Sequence, residues 1–99
     1  MVDIKATAEF REWLDSLSEY PRALVRDRLD RVRESNYFGD VTSLGVGLFE
    51  LRWKNGLRAY FAYVTGDDGR TALMLLGGDK NGQNRDIAKA RTLLARETT

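Results

Sequence analysis

The sequence predicts a small α+β domain. An antiparallel sheet of three to four strands packs against two N-terminal helices, and a further helix follows at the C-terminal end, giving the order β-α-α-β-β-β-α. Three observations predict it. Apolar residues in the first part of the chain recur at helical spacing. The middle switches to period-two alternation broken by Asn-Gly and Asp-Gly. The final stretch returns to helical spacing. With 99 residues, the chain is expected to form one domain over residues 1–99.

Residues 2–6 alternate apolar and polar side chains and fit a short strand. Thr7 can cap the helix after it, and Glu9 suits the first turn. Phe10, Trp13, Leu14 and Leu17 then follow the i, i+3, i+4, i+7 pattern of one buried face. Pro21 fits the first turn of a second helix, where its missing N–H leaves no bond unmade. Leu24, Val25, Leu29 and Val32 form that helix's apolar stripe. Its outer face sets Arg26 against Asp30 and Asp27 against Arg31 at i, i+4. Acids nearly match arginines there, so a solvated, salt-bridged face is the better reading than a nucleic-acid surface.

Residues 35–47 hold turn formers and glycines and read as a loop. Residues 48–54 and 57–65 read as strands joined at Asn55-Gly56. Residues 65–70 form a polar turn, and 71–77 a continuously apolar strand in the sheet interior. Residues 81–98 read as the last helix, with Ile87, Ala90 and Leu94 facing inward. Trp13 and Trp53 fall at core-facing positions.

The register of the central hairpin decides which side chains meet. A two-residue Asn55-Gly56 loop would pair Arg52 with Ala59 and mix charge with bulk on both faces. A three-residue loop, Lys54-Asn55-Gly56, with Gly56 left-handed in a bulge, sets Arg52 opposite Arg58 and Glu50 opposite Tyr60. Phe49, Leu51, Trp53, Leu57, Ala59, Phe61 and Tyr63 then share the other face. A one-residue slip would send that whole apolar set to the wrong side, so the second register is predicted. The expectation is a sheet with one core face and one polar face. Two arginines directly opposite repel, and they invite an anion unless Glu50 or a nearby aspartate neutralises them.

Composition narrows the chemistry. Cysteine and histidine are both absent, which excludes disulfides, thiolate nucleophiles, the usual zinc sites and a histidine base. Sixteen basic and 15 acidic residues leave a net charge of +1, so any nucleic-acid site must arise from local clustering. The start, Met-Val-Asp-Ile-Lys, has neither a basic opening nor an apolar run, and the longest apolar run is too short for a bilayer. The expected location is the cytoplasm, with no membrane partner.

Four blocks carry a family resemblance. They are Glu50-Leu51-Arg52, Arg58-Ala59-Tyr60-Phe61, Leu75-Leu76-Gly77-Gly78-Asp79-Lys80, and Gln83 with Asp86-Ile87-Ala88-Lys89-Ala90. Together they resemble the RelE/ParE toxin superfamily of type II toxin–antitoxin systems, in its HigB-like addiction module killer branch. The resemblance implies a RelE-like fold and an mRNA interferase: an endoribonuclease that cuts mRNA, commonly at the ribosome, by attack of the ribose 2′-OH on the adjacent phosphate. It implies no metal or other cofactor, and a cognate antitoxin, a small helix-turn-helix protein, as partner. A ParE-like DNA gyrase poison without nuclease chemistry stays open as the alternative.

The resemblance carries over Arg52, Arg58 and Lys80 by motif. Arg52 and Arg58 suit bidentate contact with the charge that gathers on phosphate oxygens. Lys80 could stabilise the leaving oxygen, or act as base if the arginines lower its pKa. Tyr60 could donate a proton or stack on a base. Lys54, Gln83 and Asp86 are expected to contact substrate; Asp86 serves equally well as a helix-dipole residue. Gly77-Gly78 is expected to turn the chain from strand to helix.

Overall fold

The computed structural model describes residues 2–66 and 69–98. In chain order its elements are β1 (Asp3–Ala6), α1 (Ala8–Ser16), α2 (Glu19–Ser35), β2 (Val41–Gly45), β3 (Leu48–Arg52), β4 (Leu57–Gly66), β5 (Gly69–Asp79) and α3 (Gln83–Glu97). A single 3₁₀ turn, Lys80–Gly82, leads into α3. The strands form a five-stranded sheet in the order β1-β5-β4-β3-β2. All pairings are antiparallel except β1 with β5, which is parallel.

The α+β class and the helix order are as the sequence predicts, but the sheet gains a strand. Residues 41–45, expected within a loop, form the edge strand β2 against β3. Only Thr42 and Leu44 of its five residues are partly buried, so no apolar alternation announced it. The turn expected at 65–70 closes where Gly66 pairs with Gly69; its residues 67 and 68 lie outside the described residues.

The second difference concerns the sheet's faces. One face carries the expected core: Leu51, Trp53, Leu57, Ala59 and Phe61 from the hairpin, Phe10 from α1, and Val25, Leu29 and Val32 from α2. The other face was expected to be polar. It is a second core, in which α3 lays Ala90 and Leu93 over Leu48, Tyr60, Ala62, Leu73, Leu75 and Leu76. The alternation that separates Glu50, Arg52, Arg58 and Tyr60 from the first core is real. A helix covers most of that side, and only the end near Arg52 and Arg58 stays polar.

The hairpin takes the predicted register. Arg52 pairs with Arg58, Leu51 with Ala59 and Glu50 with Tyr60. The Trp53 N–H donates to the Leu57 carbonyl, the Gly56 N–H donates to the Trp53 carbonyl, and Gly56 has φ +97°. That left-handed residue is the one a three-residue loop with a bulge assigns to glycine.

A bulge in β5 sets the rest. The β4–β5 register shifts between Tyr60, opposite Leu76, and Phe61, opposite Met74, leaving Leu75 unpaired. The extra residue re-aims everything after it. Gly77 now faces α1, and Gly78 faces α3. A Cβ on Gly77 would overlap the Trp13 ring, and one on Gly78 would overlap the Asp86 carboxylate. The pair was expected to turn the chain into the helix; instead both glycines lie inside β5, and close packing on opposite faces explains them. Thr7 ties the bulge down. Its hydroxyl donates to the Leu75 carbonyl at 2.7 Å and accepts the Phe10 N–H at 3.0 Å, capping α1 as expected.

Candidate functional site

At the end of the sheet, the row Arg52–Arg58–Gly78 runs across β3, β4 and β5. The N-terminal turn of α3 closes over it from one side. Lys80 reaches the same end because its N–H donates to the Gly56 carbonyl at 2.9 Å and its stem packs beside Gly56. Three cations from three parts of the sequence therefore share one end of the molecule. Lys54 is exposed in the hairpin turn.

The two arginines are held differently. Arg52 donates from Nε to Glu50 Oε1 at 2.9 Å, and its side chain is 40% exposed. Glu50 is fully buried, and its Oε2 accepts from Gln83 Nε2 at 2.6 Å. The neutralising role weighed for Glu50 is thus real for Arg52. Arg58 has no acid partner among the described residues. It donates from one terminal nitrogen to the carbonyls of Leu57 (2.9 Å) and Trp53 (3.3 Å), while its buried Nε finds no partner.

Tyr60 is fully buried, and among the described residues its hydroxyl, like Arg58 Nε, is a buried polar atom without a hydrogen-bond partner. Burial first, and then the Glu50 and Asp86 carboxylates, push its pKa well above the ordinary phenol value. A ring enclosed on all sides does not stack on a base, so that expected role is not open to it. The hydroxyl remains a protonated neighbour of Glu50. Asp86 sits over Gly78 with its side chain 16% exposed. Burial raises its carboxyl above the usual range, and Arg85, with Nε 3.9 Å from Oδ1, opposes that shift. Gln83 spends its amide nitrogen on Glu50, so it braces the site rather than offering that group to a ligand.

Arg28 was missed by the sequence reading. Its guanidinium lies 4.5 Å over the Trp53 ring and donates to the carbonyls of Arg52 (2.9 Å) and Phe38 (3.3 Å). Desolvation lowers its pKa, with Asp40 and Tyr37 opposing. It clamps the end of β3 from α2. The available signal was its position: it adjoins the apolar stripe Val25–Leu29 rather than the outer charged face.

Among the described residues, no group of three or more His, Cys, Asp or Glu side chains is placed to hold a metal ion. No described helix is long and apolar enough to cross a membrane. Chemically, the arrangement offers arginine and lysine donors to an anion beside carboxyl groups of contrasting burial.

No protein-family model matches the sequence. An uncharacterized protein of Haemophilus influenzae is 38% identical over 97 residues, covering 97% of this chain and 95% of its own length. The chain belongs to the family of that protein. Two solved structures share the architecture. The isolated RelE toxin of E. coli superposes with a TM-score of 0.64 at 14% identity, over 80% of this chain and 84% of its own. The intact E. coli RelBE toxin–antitoxin complex gives 0.63 at 15% identity, over 80% of this chain and 96% of that one. At those identities the likeness shows the fold, and the fold of this family member is RelE-like.

Proposed function

We propose that this chain is the toxin of a type II toxin–antitoxin pair, in the HigB-like branch, and that it acts as an endoribonuclease on mRNA at the ribosome. One observation carries the reading: Arg52 and Arg58 lie side by side at the polar end of a RelE-like sheet, with Lys80 alongside. Glu50 balances Arg52, so Arg58 is the member of the pair without an acid partner among the described residues, and a phosphate between the two guanidinium groups would supply it with one. In the proposed reaction the 2′-oxygen bonds to the adjacent phosphorus and gives up its proton, and the 5′-oxygen leaves and takes one. Negative charge grows on the non-bridging oxygens, where Arg52 and Arg58 stabilise it more in the transition state than in the ground state. Lys80 serves the leaving oxygen. Asp86, of raised basicity, is the carboxylate suited to take the 2′ proton. The occurrence of this fold in a toxin–antitoxin complex supports an antitoxin as the partner.

The test is expression of the chain alone, with transcript ends mapped by primer extension. Cuts inside translated codons are expected. Arg58→Ala should lower cutting by about 10²–10³-fold while leaving antitoxin binding intact. Cutting that survives Arg52→Ala, Arg58→Ala and Lys80→Ala alike would overturn the reading. Intact transcripts with DNA-damage signalling would instead favour a gyrase poison.

A further inference from the structure

We infer that Glu50 is the positioning residue of the site: it fixes Arg52 by Nε so that the far edge of the guanidinium faces the substrate phosphate. The inference deepens the proposed nuclease function and rests on it. Three observations carry it. Glu50 is fully buried, yet its carboxylate oxygens are divided between two different elements, Arg52 of β3 and Gln83 of α3. Arg52 is engaged only through Nε, and its terminal nitrogens donate no hydrogen bond among the described residues. Those nitrogens form the edge a phosphate would grip with two parallel bonds.

Stability alone does not account for a carboxylate in this place. Burying a charge is unfavourable, and an apolar residue of similar volume often serves a fold as well or better. Leu48 and Leu76, close by on the same face, show that the surroundings accept apolar side chains. What a carboxylate adds is direction. One oxygen sets the rotation of Arg52, and the other pins the first turn of α3, which carries Asp86. Tyr60, opposite Glu50 in the ladder, contributes an apolar ring and a neutral hydroxyl, so no second cation competes with Arg52 from that position.

A double-mutant cycle with Glu50→Gln and Arg52→Ala tests this, read as kcat and KM on an mRNA substrate. Glu50→Gln keeps the shape but removes the charge. It should lower kcat by about 10²-fold with KM little changed, as a misaligned catalytic group does. In the Arg52→Ala background the same change should have almost no further effect, because Glu50 acts through Arg52. An equal loss in both backgrounds would overturn the inference and make Glu50 a base or a purely structural group. Glu50→Asp, which keeps the charge, should recover part of kcat. Exchange of the Arg52 Nε–H, followed by NMR, reads the contact without turnover. It should be protected in the wild type and unprotected in Glu50→Gln, and equal protection in both would also overturn the inference. A wild type that folds, shows the protected Nε–H and cuts no RNA would count against the nuclease function while leaving the Glu50–Arg52 geometry standing.

Discussion

Thr7 shows how much one hydroxyl can hold. It caps α1 and satisfies the carbonyl that the β5 bulge frees. Thr7→Val keeps the volume and removes both bonds, so a loss of about 2 kcal/mol is expected. For a domain of this size that lowers Tm by about 10 °C in a thermal melt. The cap was legible in the sequence because capping is local. The Leu75 partner was not, because the bulge that frees it is a property of two strands. Val46 makes the opposite case. It is 92% exposed and sits at φ +49° between Gly45 and Gly47, both also at positive φ. A β-branched side chain is strained there and contributes no packing. Val46→Gly should raise stability by about 1 kcal/mol in denaturant melts, and an unchanged midpoint would rule out stored strain at this turn.

Among the elements, β5 does the most to build the candidate site, and its two glycines separate packing from chemistry. Gly77→Ala would drive a methyl into the Trp13 ring. The expected result is a loss of about 3 kcal/mol, seen as a lower denaturation midpoint. Gly78→Ala would push on the Asp86 carboxylate, the movable end of a side chain. It should cost less stability than Gly77→Ala and more of any RNA cutting. A Gly78→Ala protein of unaltered activity would remove Asp86 from the site. The β3–β4 hairpin was readable residue by residue, because only one register collects Phe49 through Tyr63 on a single face. Edge strand β2 was not, since backbone pairing rather than side-chain burial makes it a strand. The second core was hidden for a related reason. Tyr60 and Glu50 look polar in sequence, and only the placement of α3 over them makes that face an interior.

Across the whole molecule, the two ends of the chain are strapped together. Arg96 near the end of α3 grips Glu9 of α1 through two bonds, of 2.7 and 3.0 Å. That contact holds the Glu9 pKa at about 2, below its ordinary 4.5. A carboxyl depressed on folding adds stability above its unfolded pKa and loses it as pH falls through the folded one. The wild type should therefore exceed Glu9→Gln in Tm at neutral pH, and the gap should close between about pH 4.5 and about pH 2. The strap is exposed, so added salt should shrink the gap as well. Neither the strap nor the bond that brings Lys80 to Gly56 could be read from spacing, because both join residues far apart in sequence. The two arginines could be, because a tight turn relates them.

The parallel pairing of β1 with β5 has a consequence in time. Asp3 lies beside Thr71, and Thr7 closes its bonds on Met74 and Leu75. During synthesis the first strand therefore waits, unpaired, until some seventy residues have followed it. Helices α1 and α2 and the central hairpin, with its Arg52–Arg58 pair, can form early, but the β5 bulge, the seats for Trp13 and Asp86, and the placing of Lys80 beside Gly56 come last. A chain still being made holds its two arginines side by side without Lys80 or Asp86 beside them, so the site is complete only after α3 has been made.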